Sequence, residues 1–145
     1  MTLDIINQEL QFFFSEYVQY GGYPKIVLAH TQEIKKAYLQ QIYNTYIEKD
    51  IKDIGNIREL HKFNMLLQVL ANQSGSLINI SELSNTIGVT AITVNEWILL
   101  LENTFVIKTI RPFSTNLRGE LTKMPKIFFV DNGVRNYINN SYILS

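Results

Sequence analysis

Between residues 79 and 130 the chain holds two helix-start signals, a glycine stop and two β-rich segments, in an order that few folds accommodate. Asn79-Ile80-Ser81-Glu82 has the form of a capping box, in which Asn79 satisfies free amides of the first turn and Glu82 reaches back. Ile80, Leu83 and Ile87 make an inner stripe, and Gly88 ends the helix. Val89 plugs the gap. Thr90 then caps a second helix over Ala91 to about Asn103, with Val94, Ile98 and Leu101 turned inward. A short helix, a turn holding Gly and a second capped helix make a helix-turn-helix. Phe105–Ile110 is β-branched and partly alternating, so it reads as a strand, with Lys126–Val130 as its partner. The long tip between them, from Arg111 to Pro125, is a wing. The expectation is a winged helix-turn-helix over residues 77–131.

The preceding half reads as helical. Leu3, Ile6, Leu10, Phe13, Phe14, Tyr17 and Val18 recur at the spacing of a helix that buries one stripe. Gly21-Gly22 stops that helix, and Tyr23-Pro24 imposes an extended step, because proline biases the residue before it away from helical angles. A long helix is predicted from about Gln32 to Ile54, with Leu39, Ile42, Tyr43, Tyr46, Ile47 and Ile51 on its apolar side and Gly55-Asn56 as its stop. Another runs from Ile57 to about Gln73, turning Leu60, Phe63, Leu66, Leu67 and Leu70 inward, and Ser74-Gly75-Ser76 closes it. The fold class that follows is mainly α (α+β). A helical region, 1–76, packs on the winged helix, 77–131, and a helical stub, 132–145, follows.

Charge divides the chain. Residues 1–104 hold 7 basic and 11 acidic side chains, a net of −4, whereas residues 105–145 hold 6 and 2, a net of +4. The whole is neutral, so no global field draws it onto nucleic acid or membrane. Apolar residues make up 46% and charged ones 18%, a folding composition. The longest apolar runs, Trp97–Leu101 and Ile127–Val130, fall far short of the ~18 residues of a membrane span. No basic segment precedes an apolar one at the N-terminus, and a cytoplasmic location is expected.

Several kinds of chemistry are excluded by what the residues lack. With no cysteine there is no disulfide, thiolate metal site or cysteine nucleophile. No G-x-x-x-x-G-K-[ST] segment occurs to cradle a nucleoside triphosphate. His30 and His61 have no carboxylate at zinc-ligand spacing. Ser74 and Ser76 have no partnered base and read as loop. Glu48, Asp50 and Asp53 alternate with Lys49 and Lys52 in the manner of a solvated helix face. Asp131, ahead of Gly133, is the one carboxylate in a suggestive position, and a cap for a helix over Val134–Ile138 explains it equally well. No cofactor and no metal are expected.

Gly21-Gly22-Tyr23-Pro24, Ile42–Ile51, Lys62-Phe63-Asn64, Ile80–Ser84, Pro112–Lys126 and Phe128–Gly133 together resemble the C-terminal region of a large group of prokaryotic AAA+-type ATPases. The likeness runs in order through nearly the whole chain. It implies an N-terminal P-loop ATPase domain, then this helical and winged-helix region, and in many members a restriction-endonuclease-like fold. The chain has neither the P-loop part nor the stretch after the Asp-x-Gly position that would bring the Glu-x-Lys nuclease signature, so by this likeness it reads as a fragment. Asp131 matches the family's Asp-x-Gly position, but a single acid does not hold a catalytic metal pair. No enzymatic activity is carried over.

The function expected is a non-catalytic module of such an ATPase that contacts double-stranded DNA. Arg111, Arg118, Lys123 and Lys126, with Lys108 nearby, would meet phosphates, while Thr90, Thr93 and Asn95 lie near base edges. Against this, the second helix carries Glu96 and Glu102 and no Lys or Arg. The alternative is an interaction module that docks the ATPase core or self-associates. Oligomeric state stays open.

Overall fold

The computed structural model describes residues 2–113 and 124–140, with side chains from residue 6 onward. It is mainly helical, with one two-stranded antiparallel sheet. Close packing divides the chain into two compact units, residues 1–45 with 131–145, and residues 46–130. The first unit is therefore closed by a segment remote in sequence, where sequence reading drew its boundary at 76/77.

In the first unit, α1 (Thr2–Tyr20) is stopped by Gly21, whose φ of +81° is a conformation that favours glycine. Pro24 opens the short α2 (Pro24–Val27) at its first turn, where a missing N–H costs nothing. α3 (Gln32–Ile42) is capped by the Thr31 hydroxyl, which accepts from the Ile34 amide at 3.3 Å. The last helix, α8 (Asn132–Asn139), packs on α1 and α3. Gly133 is buried there, and a Cβ at this position would overlap the Tyr20 carbonyl oxygen. One turn on, buried Asn136 donates from Nδ2 to the carbonyls of Val18 (3.0 Å) and Gln19 (2.9 Å). These are the last carbonyls of α1, which no helical amide reaches.

In the second unit, α4 (Lys52–Ile54) leads through Gly55-Asn56 to α5 (Leu60–Asn72), α6 (Ile80–Ile87) and α7 (Ala91–Asn103). Asn79 caps α6, its Oδ1 accepting from the amides of Ser81 (3.0 Å) and Glu82 (3.3 Å). Gly88 ends α6 at φ +73°, and Lys62 of α5 donates to its carbonyl at 2.9 Å. β1 (Ile107–Ile110) pairs with β2 (Lys126–Phe129), Ile107 opposite Phe129 and Thr109 opposite Ile127. Ile107, Ile127 and Phe129 are buried on one face. A further stretch ahead of α6 runs beside β2: Gly75 donates to Ile127 O (2.7 Å), Ile78 to Pro125 O (2.9 Å), and Leu77 bridges to Lys126. The core holds Phe63, Leu66, Leu67, Leu70, Ile78, Val94 and Leu101, with Phe63 meeting Trp97 edge to face at 5.5 Å.

Three elements differ from the sequence-based expectation. The helix over Gln32–Ile54 is not one α-helix, because Tyr43–Ile51 between α3 and α4 is π-helical. Tyr43, Asn44 and Thr45 at its start are weak α-formers, but nothing in the residue types specifies the wider turn. The strand does not begin at Phe105. Instead Val106 donates to Leu101 O (2.9 Å) and Phe105 to Glu102 O (3.1 Å), a Schellman closure of α7 with Phe105 at φ +57°. Lastly, Ile6, Leu10, Phe13, Phe14 and Tyr17, read as a buried stripe, are exposed.

Candidate interaction surfaces

The outward face of α7 is built by helical spacing. Val94, Trp97, Ile98 and Leu101 point into the core, which leaves Ile92, Asn95, Glu96 and Leu99 outside. Ile92 and Leu99 are 71% and 57% exposed, a full two turns apart on one face. Between them stand an amide and a carboxylate. Neither residue stands out in the sequence, because the helix is apolar on more than one side and spacing alone marks only its inward stripe.

The residues expected near base edges are occupied locally. Thr90 Oγ1 accepts from the Thr93 amide (3.1 Å) and lies 2.9 Å from Thr93 Oγ1, which is the capping arrangement that starts α7. Asn95 donates from Nδ2 to Ala91 O at 3.0 Å, along its own helix. All three cluster on the first turns of α7.

The cations are less concentrated. Lys108 projects from the outer face of β1 and pairs with Glu102 at 3.5 Å. Glu102 also accepts from the Thr109 hydroxyl (2.8 Å) and amide (3.1 Å). Burial opposes its charge, but the Thr109 hydroxyl and amide and the Lys108 ammonium hold the carboxyl below its usual range. Arg111 lines a groove of 410 Å³ with Ile98, Leu99, Glu102 and Met124, and exposed Lys126 opens β2. Arg118 and Lys123 lie outside the described residues.

Asp131, in the first unit, is engaged at both oxygens. Oδ1 accepts from the Val134 amide at 3.0 Å, capping α8, and Oδ2 accepts from the Gly22 amide at 2.8 Å. The capping reading is the one realised, and the carboxylate also clasps the Gly21-Gly22 turn. Among the described residues, no group of three or more His, Cys, Asp or Glu is placed to hold a metal ion. No described helix is long and apolar enough to cross a membrane.

A family described as a domain of unknown function (DUF8612) matches residues 11–141, and the chain belongs to that family. An uncharacterised protein of Haemophilus influenzae is 30% identical over 129 residues, which is 86% of this chain and 32% of that protein. An uncharacterised protein of Methanocaldococcus jannaschii is 27% identical over 81 residues, 56% of this chain and 18% of the relative. One from Mycobacterium bovis is 24% identical over 114 residues, 79% and 26% respectively. The chain thus spans a third or less of the length of these curated relatives. No solved structure matches it.

Proposed function

We propose that this member of the DUF8612 family is a non-catalytic interaction module of an AAA+-type ATPase, and that the outward face of α7 docks protein, the ATPase core foremost. On this reading residues 77–130 are a winged helix whose second helix serves a protein surface. The order α5, paired stretch 75–78, α6, α7, β1, β2 supports the winged-helix assignment. The observation that carries the docking reading is the composition of α7. Across Ala91–Asn103 no cation occurs, while Ile92 and Leu99 flank Asn95 and Glu96 on the exposed side. Such a face is poorly suited to a phosphate-lined groove and well suited to a partner's apolar surface.

The test is calorimetric titration of the chain with the P-loop ATPase domain that this reading assigns to the same polypeptide. Binding that Leu99→Glu weakens at least tenfold is expected. Binding untouched by Leu99→Glu and Ile92→Glu together, or no binding, sinks the reading.

A second reading keeps the DNA contact and rests on the +4 charge of residues 105–145. Lys108, Arg111 and Lys126, with Arg118 and Lys123, would neutralise phosphates without base reading by α7. Replacing Arg118 and Lys123 together should then weaken duplex binding and flatten its salt dependence.

A further inference from the structure

β1 is an edge strand. It pairs with β2 on one side, and among the described residues no strand lies along the other. In an antiparallel pair, successive residues alternate between bonding to the partner strand and facing away from it. Val130 donates to Val106 O at 3.0 Å, so Val106, Lys108 and Ile110 direct their amides and carbonyls at β2. The far side of β2 obeys the same alternation, with the carbonyls of Pro125 and Ile127 accepting from Ile78 and Gly75. Ile107 and Thr109 therefore point their amides and carbonyls away from the sheet. In a segment as β-prone as Val106–Ile110, such a row is a template for another strand.

Glu102 stands on that template. Its Oε1 accepts from the Thr109 amide at 3.1 Å and from the Thr109 hydroxyl at 2.8 Å. It reaches there from the last turn of α7, seven residues back, and Lys108 of the same strand pairs with it. The carboxylate keeps 25% of its side-chain exposure, so the contact lies at the surface, where an added strand would bond.

The edge is self-complementary, because a second copy offers the same donors and acceptors. A second β1 laid antiparallel with Lys108 opposite Lys108 would oppose like charges. With Ile107 opposite itself, the left-handed Phe105 would have to continue the ladder. Thr109 opposite Thr109 avoids both, since Lys108 then meets Ile110 and the two Thr109 residues exchange amide and carbonyl. That register needs the amide that Glu102 holds.

We propose that Glu102 guards the β1 edge: its carboxylate occupies the Thr109 amide and keeps a second copy of the chain from adding its own β1 there. The guard is independent of what the α7 face meets.

Sedimentation equilibrium of the whole chain tests this. Glu102→Ala frees the amide, and self-association at least tenfold tighter than the parent's is expected. A double variant, Glu102→Ala with Thr109→Pro, has no amide at that position to offer. Proline is tolerated on an edge strand where the N–H faces outward, so the double variant should return to the parent's behaviour. Hydrogen exchange at the Thr109 amide gives a second readout. In dilute solution it should be slow in the parent and fast in Glu102→Ala, then slow again as the variant is concentrated. Glu102→Ala that sediments as the parent does overturns the proposal. So does association that persists in the double variant, which would place it away from this edge.

Discussion

Asp131 and Gly22 are 109 residues apart, and the carboxylate of the one accepts the amide of the other at 2.8 Å. The same side chain caps α8 through Val134. One residue thus ties the stop of α1 to the start of α8. Losing a cap costs ~0.5–2 kcal/mol, and a hydrogen bond to a charged group ~1.5–3 kcal/mol. Asp131→Ala is expected to lose about 2–3 kcal/mol in urea unfolding. Asp131→Asn keeps one acceptor oxygen and should lose about half as much. A neutral result for Asp131→Ala would show that the clasp is not structural.

Gly133 and Gly21 are close approaches that a side chain cannot enter. A Cβ on Gly133 would overlap the Tyr20 carbonyl, and one on Gly21 the Asp131 carboxylate, at a φ of +81° as well. Backbone does not yield as a flexible side chain does, so Gly133→Ala is expected to cost more than about 2 kcal/mol. Chemical denaturation of the variant checks this.

Phe105 holds a left-handed conformation, φ +57°, and the residue is 77% exposed. A bulky residue there stores strain of roughly 1–2 kcal/mol that glycine does not. Glycine also adds freedom to the unfolded chain, which offsets part of the gain. Phe105→Gly is expected to stabilise the protein by about 0.5–1 kcal/mol, read as a raised Tm.

Glu102 gives the second unit a pH dependence. Its folded carboxyl is held below the ordinary value of 4.5, so its contribution is complete above that pH. As pH falls through the lower folded-state value, that contribution is lost. Thr109→Val removes the hydroxyl donor at 2.8 Å and should cost about 1 kcal/mol at neutral pH. The gap between variant and parent should narrow toward pH 3, followed by urea titrations at several pH values.

Much of this arrangement is legible in the residues. Asn79 and Thr90 cap the helices that sequence assigns to them, Gly88 takes the left-handed stop, and Asp131 caps α8. Each of these is local, since side chain, turn and amide lie within three residues. The unread parts are of two kinds. Phe105 reads as strand because β-branched neighbours dominate the window, while helix closure needs only one residue to adopt positive φ. The stripe of α1 is evident in the spacing but its exposure is not, because periodicity reports which side is apolar and not what covers it. Ile92 and Leu99 are hard to single out for a related reason: their helix is apolar on more than one side. The clasp from Asp131 to Gly22 joins residues too distant for any local pattern to link.

The central claim is that the α7 face meets protein and not DNA, and a duplex titration tests it most directly. A fluorescently labelled random duplex is titrated with the chain at about 50 mM and about 200 mM salt, and anisotropy is read. Phosphate neutralisation by several cations would lower affinity by orders of magnitude between the two. The account expects no binding at micromolar protein in the lower salt. Tight binding at 50 mM that falls steeply by 200 mM, and that Asn95→Ala weakens, would contradict it.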